Sequence, residues 1–122
     1  MIGYATLGTN DLQRAARFYD ALLGSIGAKR LMDYGSFIAW GTGPGSPMLA
    51  ITVPFDKQPA TVGNGVMVAL HVDSKAKVDA VYKKALELGG KCAGPAGPRG
   101  DGFYAGYFRD LDGNKLNAFF MG

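Results

Sequence analysis

Cysteine, long apolar runs and dense basic segments are nearly missing from this chain of 122 residues. Its one cysteine, Cys92, excludes an intrachain disulfide, and no apolar run approaches the roughly 20 residues that span a bilayer. No charged segment followed by an apolar one precedes the first predicted strand, so we expect no signal peptide, no membrane partner and a cytoplasmic location. The net charge is +3 with lysines dispersed along the chain, which gives no reason to expect nucleic-acid binding.

Glycine and short apolar segments are abundant instead. The chain contains 19 glycines, 48% hydrophobic residues and 19% charged residues, a composition typical of one globular domain. Most of the glycines stand between periodic segments, so the chain should form many short elements joined by tight connections.

The first half predicts one strand, one helix and three further strands. Alternation indicates a strand over Ile2 to Gly8, and Asn10 or Asp11 is expected to cap a helix over Leu12 to Leu23. Pro54 to Gly65 is predicted to be the linker between the halves. The three further strands are predicted over Ala28 to Met32, Phe37 to Trp40 and Met48 to Val53.

The second half repeats this order at an offset of about 63 residues. A strand over Val66 to Val72 leads into a helix that Asp73 or Ser74 caps and that runs through Leu88. The remaining segments are a short strand over Lys91 to Ala93, a loop over Gly94 to Gly102, and a hairpin of Phe103 to Arg109 with Lys115 to Met121. The predicted fold is therefore α+β, with βαβββ modules at 1–53 and 66–122 within a single domain.

Strand alternation also sorts the side chains onto two faces. The polar and aromatic row is expected to face a concave pocket and consists of Tyr4, Thr6, Met67, Ala69, His71, Tyr107, Arg109, Lys115, Asn117 and Phe119. The apolar row is expected to contact the helices and consists of Ala5, Leu7, Val68, Leu70, Val72, Phe108, Leu116 and Ala118.

Several segments resemble those of the vicinal oxygen chelate superfamily, which includes glyoxalase I, the bleomycin- and fosfomycin-resistance proteins and the extradiol dioxygenases. They are Gly8-Thr9-Asn10-Asp11-Leu12 with Phe18-Tyr19, and the turn Arg109-Asp110-Leu111-Asp112-Gly113-Asn114. The linker Pro54 to Gly65 resembles that of an uncharacterised bacterial glyoxalase-like branch. The resemblance implies paired βαβββ modules whose curled strands hold a ligand on the concave side, helices outside, and a homodimer.

The resemblance also raises the question of a metal. Metal-using members bind a divalent ion through His or Gln in the first strand of each module and Glu in the last strands. The matching positions here carry Tyr4, Met67, Asn117 and, in the last strand of the first module, Thr52. Zinc or nickel wants about three or four imidazole, thiolate or carboxylate donors, whereas the chain has a single histidine and a single glutamate. We therefore expect no catalytic metal and no other cofactor.

The candidate pocket residues each have a functional and a structural interpretation. His71 or Tyr4 could exchange a proton, or they could make a structural hydrogen bond and fill the barrel. Arg109 could hold an anionic or carbonyl-bearing ligand, or pair with Asp110 or Asp112. An aromatic wall for a flat ligand, or else core or dimer interface, could come from Phe103, Tyr104, Tyr107 and Trp40. The expected ligand contacts are Tyr4, Thr6, Trp40, Met67, His71, Tyr104, Tyr107, Arg109 and Asn117.

Four functions are compatible with this sequence. The first is binding of a small organic molecule in a metal-free pocket, without chemistry. The second is a metal-independent lyase or isomerase with His71 or Tyr4 as acid or base and Arg109 holding a developing oxyanion. The third, a metal-dependent enzyme of the lactoylglutathione lyase type, is disfavoured by the missing ligands. The fourth is a dimerisation module with a vestigial pocket.

Overall fold

A computed structural model describes residues 1–122, which form two units, Met1–Val62 and Gly63–Gly122. Each unit contains one helix of 13 residues and one four-stranded sheet that does not close on itself. The division between the units falls inside the predicted linker. No helix is long and apolar enough to cross a membrane.

Unit 1 follows the predicted order of strand, helix and three strands. The sheet order is β1-β4-β3-β2, with β1 parallel to β4 and antiparallel pairs elsewhere. After β1 the chain crosses the sheet to its opposite edge, where β2 lies. The helix between these two strands makes the crossing and packs on one face of the sheet. The elements are β1 (Tyr4–Gly8), α1 (Leu12–Gly24), β2 (Lys29–Asp33), β3 (Phe37–Gly41) and β4 (Met48–Thr52).

Helix α1 begins at an aspartate cap and buries an apolar stripe. Asp11 is extended, and its side chain accepts a hydrogen bond from the backbone N–H of Arg14 at 3.1 Å. Asn10 instead bonds the backbone of Ala60, which ties the linker to the start of the helix. The residues that α1 buries are Ala15, Ala16, Phe18, Tyr19, Leu22 and Leu23.

Unit 2 has the same topology, with the sheet order β5-β8-β7-β6. Ser74 caps its helix by accepting from the N–H of Lys77 at 3.1 Å. Val78, Val81 and Ala85 of that helix are buried, which places the core between the helix and the sheet. The elements are β5 (Val68–His71), α2 (Lys75–Glu87), β6 (Lys91–Pro98), β7 (Phe103–Arg109) and β8 (Lys115–Met121).

The prediction of a short strand over Lys91 to Ala93 followed by a loop from Gly94 is wrong, because β6 continues to Pro98. Its pairing with β7 shifts register twice, between Cys92 and Gly94 and again between Gly94 and Gly97. Strand β6 is also an edge strand, and edges and bulges are where a sheet tolerates proline and glycine. Composition therefore indicated a loop where the backbone forms an irregular strand.

The turn between β7 and β8 is held by a buried carboxylate. Asp110 is 5% exposed and accepts hydrogen bonds from the backbone N–H groups of Asp112 and Asn114, both at 2.9 Å. The side-chain amide of Asn114 adds a third at 3.0 Å. Gly113 adopts a φ of 90°, which favours glycine at this turn position. The hairpin that follows from this turn has the two strands that the sequence predicted.

Candidate functional site

Helix α2 covers one face of the second sheet. A Cβ at Gly106 would lie 3.0 Å from the Cβ of Tyr82, and the Tyr104 hydroxyl donates to Asp79 of the helix at 2.7 Å. Alternation therefore places the odd-numbered side chains of β7 and β8 on the opposite side. We call this the helix-free face, and it comprises Ala69, His71, Phe103, Ala105, Tyr107, Arg109, Lys115, Asn117 and Phe119.

One end of the helix-free face is cationic. The Arg99 guanidinium carbon and the Lys115 ammonium nitrogen each lie 5.4 Å from the centroid of the Tyr107 ring. A side chain at Gly94 would meet both the Tyr107 ring, at 3.1 Å, and Arg99, at 3.4 Å, so glycine leaves room for the guanidinium there. Neither cation forms an ion pair with a carboxylate.

Arg99 is held in place by the backbone of β6 and its end. Its Nη1 donates to the carbonyls of Gly97 at 3.1 Å and Pro98 at 3.3 Å, and its Nη2 donates to the carbonyl of Pro95. These bonds fix the guanidinium against the carbonyl groups of β6, which is an edge strand of the sheet. Lys115, in contrast, has no hydrogen-bond acceptor in the chain, so its ammonium is available to a ligand.

Asn117 lies beside this cationic end, at the centre of the face. Its register partners are Ala69 on β5 and Tyr107 on β7. The residue is 1% exposed, and its Oδ1 accepts no hydrogen bond. A buried acceptor without a partner costs roughly 1–3 kcal/mol, so almost all such groups in folded proteins are satisfied. The structure thus leaves an acceptor in the middle of the face that a hydroxyl or N–H group could fill.

The other end of the helix-free face is aromatic. The rings of Phe103 and Phe119 stack with centroids 5.6 Å apart, and the His71 ring lies 5.3 Å from that of Phe119. His71 is exposed, and its side chain makes no hydrogen bond to another residue. The face therefore grades from aromatic through amide to cationic along β8.

In unit 1, the predicted site residues divide between two faces. Tyr4 is 56% exposed, with its ring 5.7 Å from that of Phe37, and Thr6 shares its face by alternation. Trp40 faces the helix instead: it is 1% exposed, and its indole N–H donates to Asp20 of α1 at 2.9 Å. The Arg30 guanidinium, bound to the same carboxylate, lowers the pKa of Asp20 below its usual range.

The expected aromatic wall is thus only partly assembled. His71, Tyr107 and Asn117 share the helix-free face, whereas Trp40 and Tyr104 lie on the sides that the helices cover. The Asp79 carboxylate accepting from Tyr104 raises the pKa of that phenol, as expected when a hydrogen bond favours the neutral form.

Two further site candidates lie at the margins. Arg109 donates to the carbonyl of Gly113 at 2.9 Å, so its guanidinium is engaged with the β7–β8 turn. Met67 precedes β5 and is 39% exposed. The expected ligand contacts omitted Arg99, Lys115 and Phe119. Alternation already placed the last two in the pocket row, whereas Arg99 depends on the unpredicted extension of β6.

Comparison with known proteins identifies the family. The model of the Glyoxalase/Bleomycin resistance protein/Dioxygenase superfamily matches residues 1–118. The chain belongs to this superfamily. A glyoxalase/bleomycin resistance protein from Albidiferax ferrireducens T118 is 33% identical, with coverage of 100% of this chain and 99% of that one and a TM-score of 0.91. No curated protein matches the chain.

Two further solved structures share the fold at lower identity. Hypothetical protein SA1046 from S. aureus is 26% identical with a TM-score of 0.75, over 98% of this chain and 92% of that one. Lactoylglutathione lyase from Agrobacterium tumefaciens is 22% identical with a TM-score of 0.73, again over 98% and 92%. At this lower identity, the likeness to the lyase concerns the fold alone.

The side chains at the superfamily's metal positions do not fit a divalent cation. They offer a phenol from Tyr4, a thioether from Met67, a carboxamide from Asn117 and a hydroxyl from Thr52. The Thr52 hydroxyl bonds the backbone carbonyls of Ser36 and Val53 at 3.2 and 3.0 Å. Zinc, nickel and similar ions take imidazole, thiolate or carboxylate, and no group of three or more such side chains is gathered anywhere in the chain.

Proposed function

We propose that this superfamily member binds a small organic molecule on the helix-free face, without a metal at the superfamily's position. The observation that carries the proposal is the buried Asn117, whose Oδ1 has no donor within the protein. A ligand hydroxyl or N–H group is the natural partner for such an acceptor. In metal-using members of the superfamily, the same position holds a metal-binding Glu. A carboxamide there has no charge, so it favours a ligand with a hydrogen-bond donor over a cation.

The side chains around Asn117 are suited to a flat organic ligand. Tyr107 lies opposite it in the register, and the Phe119 ring lies two residues along the same strand. Ligand pockets combine such aromatic surfaces with a few polar groups that fix orientation. Ala69 on the other side of Asn117 is small and exposed, which leaves the face accessible from β5.

The alternative of acid–base catalysis has less support. A general base is normally oriented by a hydrogen bond to a second group, and the His71 imidazole makes none, although its ring lies 5.3 Å from that of Phe119. Tyr4 is exposed and contacts the ring of Phe37. We therefore propose binding rather than turnover.

Protein-observed NMR in the presence of EDTA tests the proposal. The probes are 3-amino-2-naphthamide, 3-amino-2-naphthoate and 3-amino-2-naphthyl phosphate, which share one flat ring system and one amino group that can donate to Asn117 Oδ1. We expect saturable shifts for at least one probe, centred on the Asn117 side-chain amide and on Tyr107 and Phe119. Lack of saturable shifts on these residues with all three probes, or binding that appears only after zinc or nickel is added, contradicts the proposal.

A further inference from the structure

Resting on the proposed function, the geometry points to a ligand class: we propose that the helix-free face selects an aromatic organic anion, a carboxylate or phosphate monoester attached to a flat ring system. The anionic group would lie at the Arg99–Tyr107–Lys115 end. The ring would lie against Phe119, and a donor on the ligand would reach Asn117 Oδ1.

The positive charges of Arg99 and Lys115 favour an anionic ligand. Two cations lie 5.4 Å from one ring centroid, so they are at most twice that distance apart. Two like charges so close together, without a carboxylate partner, create a positive potential that a bound anion relieves. The Tyr107 ring offsets part of this repulsion through its π face, but it supplies no negative charge. The nearby Asp110 is not available as a counterion, because it is buried in the β7–β8 turn.

Lys115 is the cation most suited to the ligand. The Arg99 guanidinium already donates to three backbone carbonyls, whereas the Lys115 ammonium has no acceptor in the chain. Arg99 therefore supplies fixed positive charge beside Tyr107. Lys115 supplies charge together with free N–H donors, which a carboxylate or phosphate oxygen accepts.

Spacing along β8 limits the size of the ligand. A strand rises about 3.3 Å per residue, so Phe119 lies roughly 7 Å from Asn117 along the strand. The Lys115 ammonium reaches back to the Tyr107 ring, whose register partner is Asn117. A single ligand can therefore place its anionic group beside Tyr107 and its ring against Phe119 if it is about as long as a bicyclic aromatic acid.

Isosteric probes separate the charge requirement from binding itself. In titrations at low ionic strength, we expect 3-amino-2-naphthoate or 3-amino-2-naphthyl phosphate to bind at least about tenfold more tightly than neutral 3-amino-2-naphthamide, which carries the same amino donor. Comparison of the two anions shows which anionic group the face prefers, and preference for either supports the proposal. Equal affinity of all three probes at this face would overturn the inference while leaving the proposed function intact; absence of binding by all three would overturn both.

Charge-removing variants assign the effect to the named residues. Lys115→Gln should lower the ratio of anion affinity to amide affinity about five- to tenfold, and Arg99→Gln should act in the same direction. Lys83→Gln, which removes an exposed charge on α2, is the matched control and should change neither affinity. If Lys83→Gln weakens the anion as much as Lys115→Gln does, net charge explains the preference and the inference fails. Unchanged dispersion of the backbone amide NMR signals shows that each variant is folded.

Discussion

Asn117 combines near-complete burial with an acceptor that has no donor. Replacement of a buried unpaired polar group by an apolar one of similar shape removes a desolvation cost. Asn117→Leu keeps the branching at Cγ, so we expect its free energy of unfolding to be unchanged or raised by up to about 1 kcal/mol. Binding of the naphthalene probes should weaken in the same variant. Urea denaturation and NMR titration measure the two effects on one sample.

Asn117→Asp provides the contrast for this experiment. It preserves size but introduces a charge that burial disfavours, so we expect it to be less stable than the parent at neutral pH. A marked loss of stability in Asn117→Leu would mean that the amide already has a structural partner, which would remove the observation behind the proposed function.

Asp20 gives a pH dependence whose sign follows from its lowered pKa. Two hydrogen bonds from Arg30, at 2.9 and 2.8 Å, and one from Trp40 stabilise the charged form. A group whose pKa is lowered on folding stabilises the fold above its unfolded value, near 3.8, and loses this effect as the pH falls through the folded pKa. Asp20→Asn should therefore cost about 1 kcal/mol or less at pH 7, because the pair is partly exposed, and the difference should shrink below about pH 4.

Denaturation at a series of pH values checks this prediction. Asp73→Asn is the control, since it removes an exposed carboxylate that makes no hydrogen bond or ion pair. A deficit of Asp20→Asn that grows as the pH falls would contradict the assigned cause. In Asp20→Asn the carboxamide oxygen can still accept from the Trp40 indole N–H, but the carboxamide nitrogen cannot accept from Arg30, so the variant removes the charge together with one hydrogen bond.

Alternation correctly predicts which face of the sheet a residue occupies. The errors arose where aromatic residues were assigned to the ligand site against their alternation. Trp40 has the parity of Ile38, and Tyr104 has the parity of Phe108; both of these apolar residues are buried. The aromatic-wall hypothesis placed Trp40 and Tyr104 at the ligand despite that parity. Their polar atoms instead bond to carboxylates on the helices, at Asp20 and Asp79. Sequence pattern alone does not indicate such pairings, because they join residues that are 20 or 25 positions apart.

At the scale of elements, the glycines at the two helix ends differ in the space around them. A Cβ at Gly24, the last residue of α1, would meet nothing within 4 Å, and its φ is not positive. A Cβ at Gly90, after α2, would lie 2.7 Å from the carbonyl oxygen of Arg109 and 2.8 Å from that of Ala85. We therefore expect Gly24→Ala to be neutral or stabilising by up to about 1 kcal/mol. Gly90→Ala should destabilise by about 1–3 kcal/mol, because backbone atoms would have to move.

Thermal unfolding of the two variants side by side measures this difference. Equal stability of Gly24→Ala and Gly90→Ala would show that β7 does not approach the end of α2 as closely as the structure indicates. Both glycines stop a helix in the sequence pattern, so only the packing of a neighbouring strand distinguishes them.

The elements that the sequence predicted best are those with regular periodicity. The bounds of β7 and β8 agree with the prediction, since a glycine-containing turn separates two alternating runs. The start of β1 moved from Ile2 to Tyr4, a shift within the usual uncertainty of strand ends. The prediction of β6 was wrong for a physical reason: its bulges break the alternation on which strand prediction depends. Arg99 directly follows that strand. The position of the cationic end of the site therefore could not be predicted from the sequence.

At the scale of the whole molecule, the two units repeat one topology with different chemistry. Strands β1, β3 and β4 of the first sheet carry no charged residue, whereas β7 and β8 of the second carry Arg109 and Lys115. The charged residues of the first sheet lie on its edge strand β2, where Arg30 is paired with Asp20 and Asp33, so the proposed anion site belongs to the second unit. Binding of an anionic probe should then weaken several-fold as sodium chloride screens these charges, whereas binding of 3-amino-2-naphthamide should not change.

Metal independence is proposed for the whole protein, and metal analysis is the strictest test of the proposed function. The side chains at Tyr4, Thr52, Met67 and Asn117 are unsuited to a divalent cation, so protein purified without chelators should hold far less than one equivalent of zinc, nickel, iron or manganese. A ligand that binds only the folded state stabilises it in proportion to the logarithm of its concentration above Kd. Added zinc or nickel should therefore leave Tm unchanged, while the preferred naphthalene anion raises it in the presence of EDTA. A stoichiometric metal that raises Tm, and that Asn117→Leu abolishes, would instead place a cation on the helix-free face and refute the proposed function.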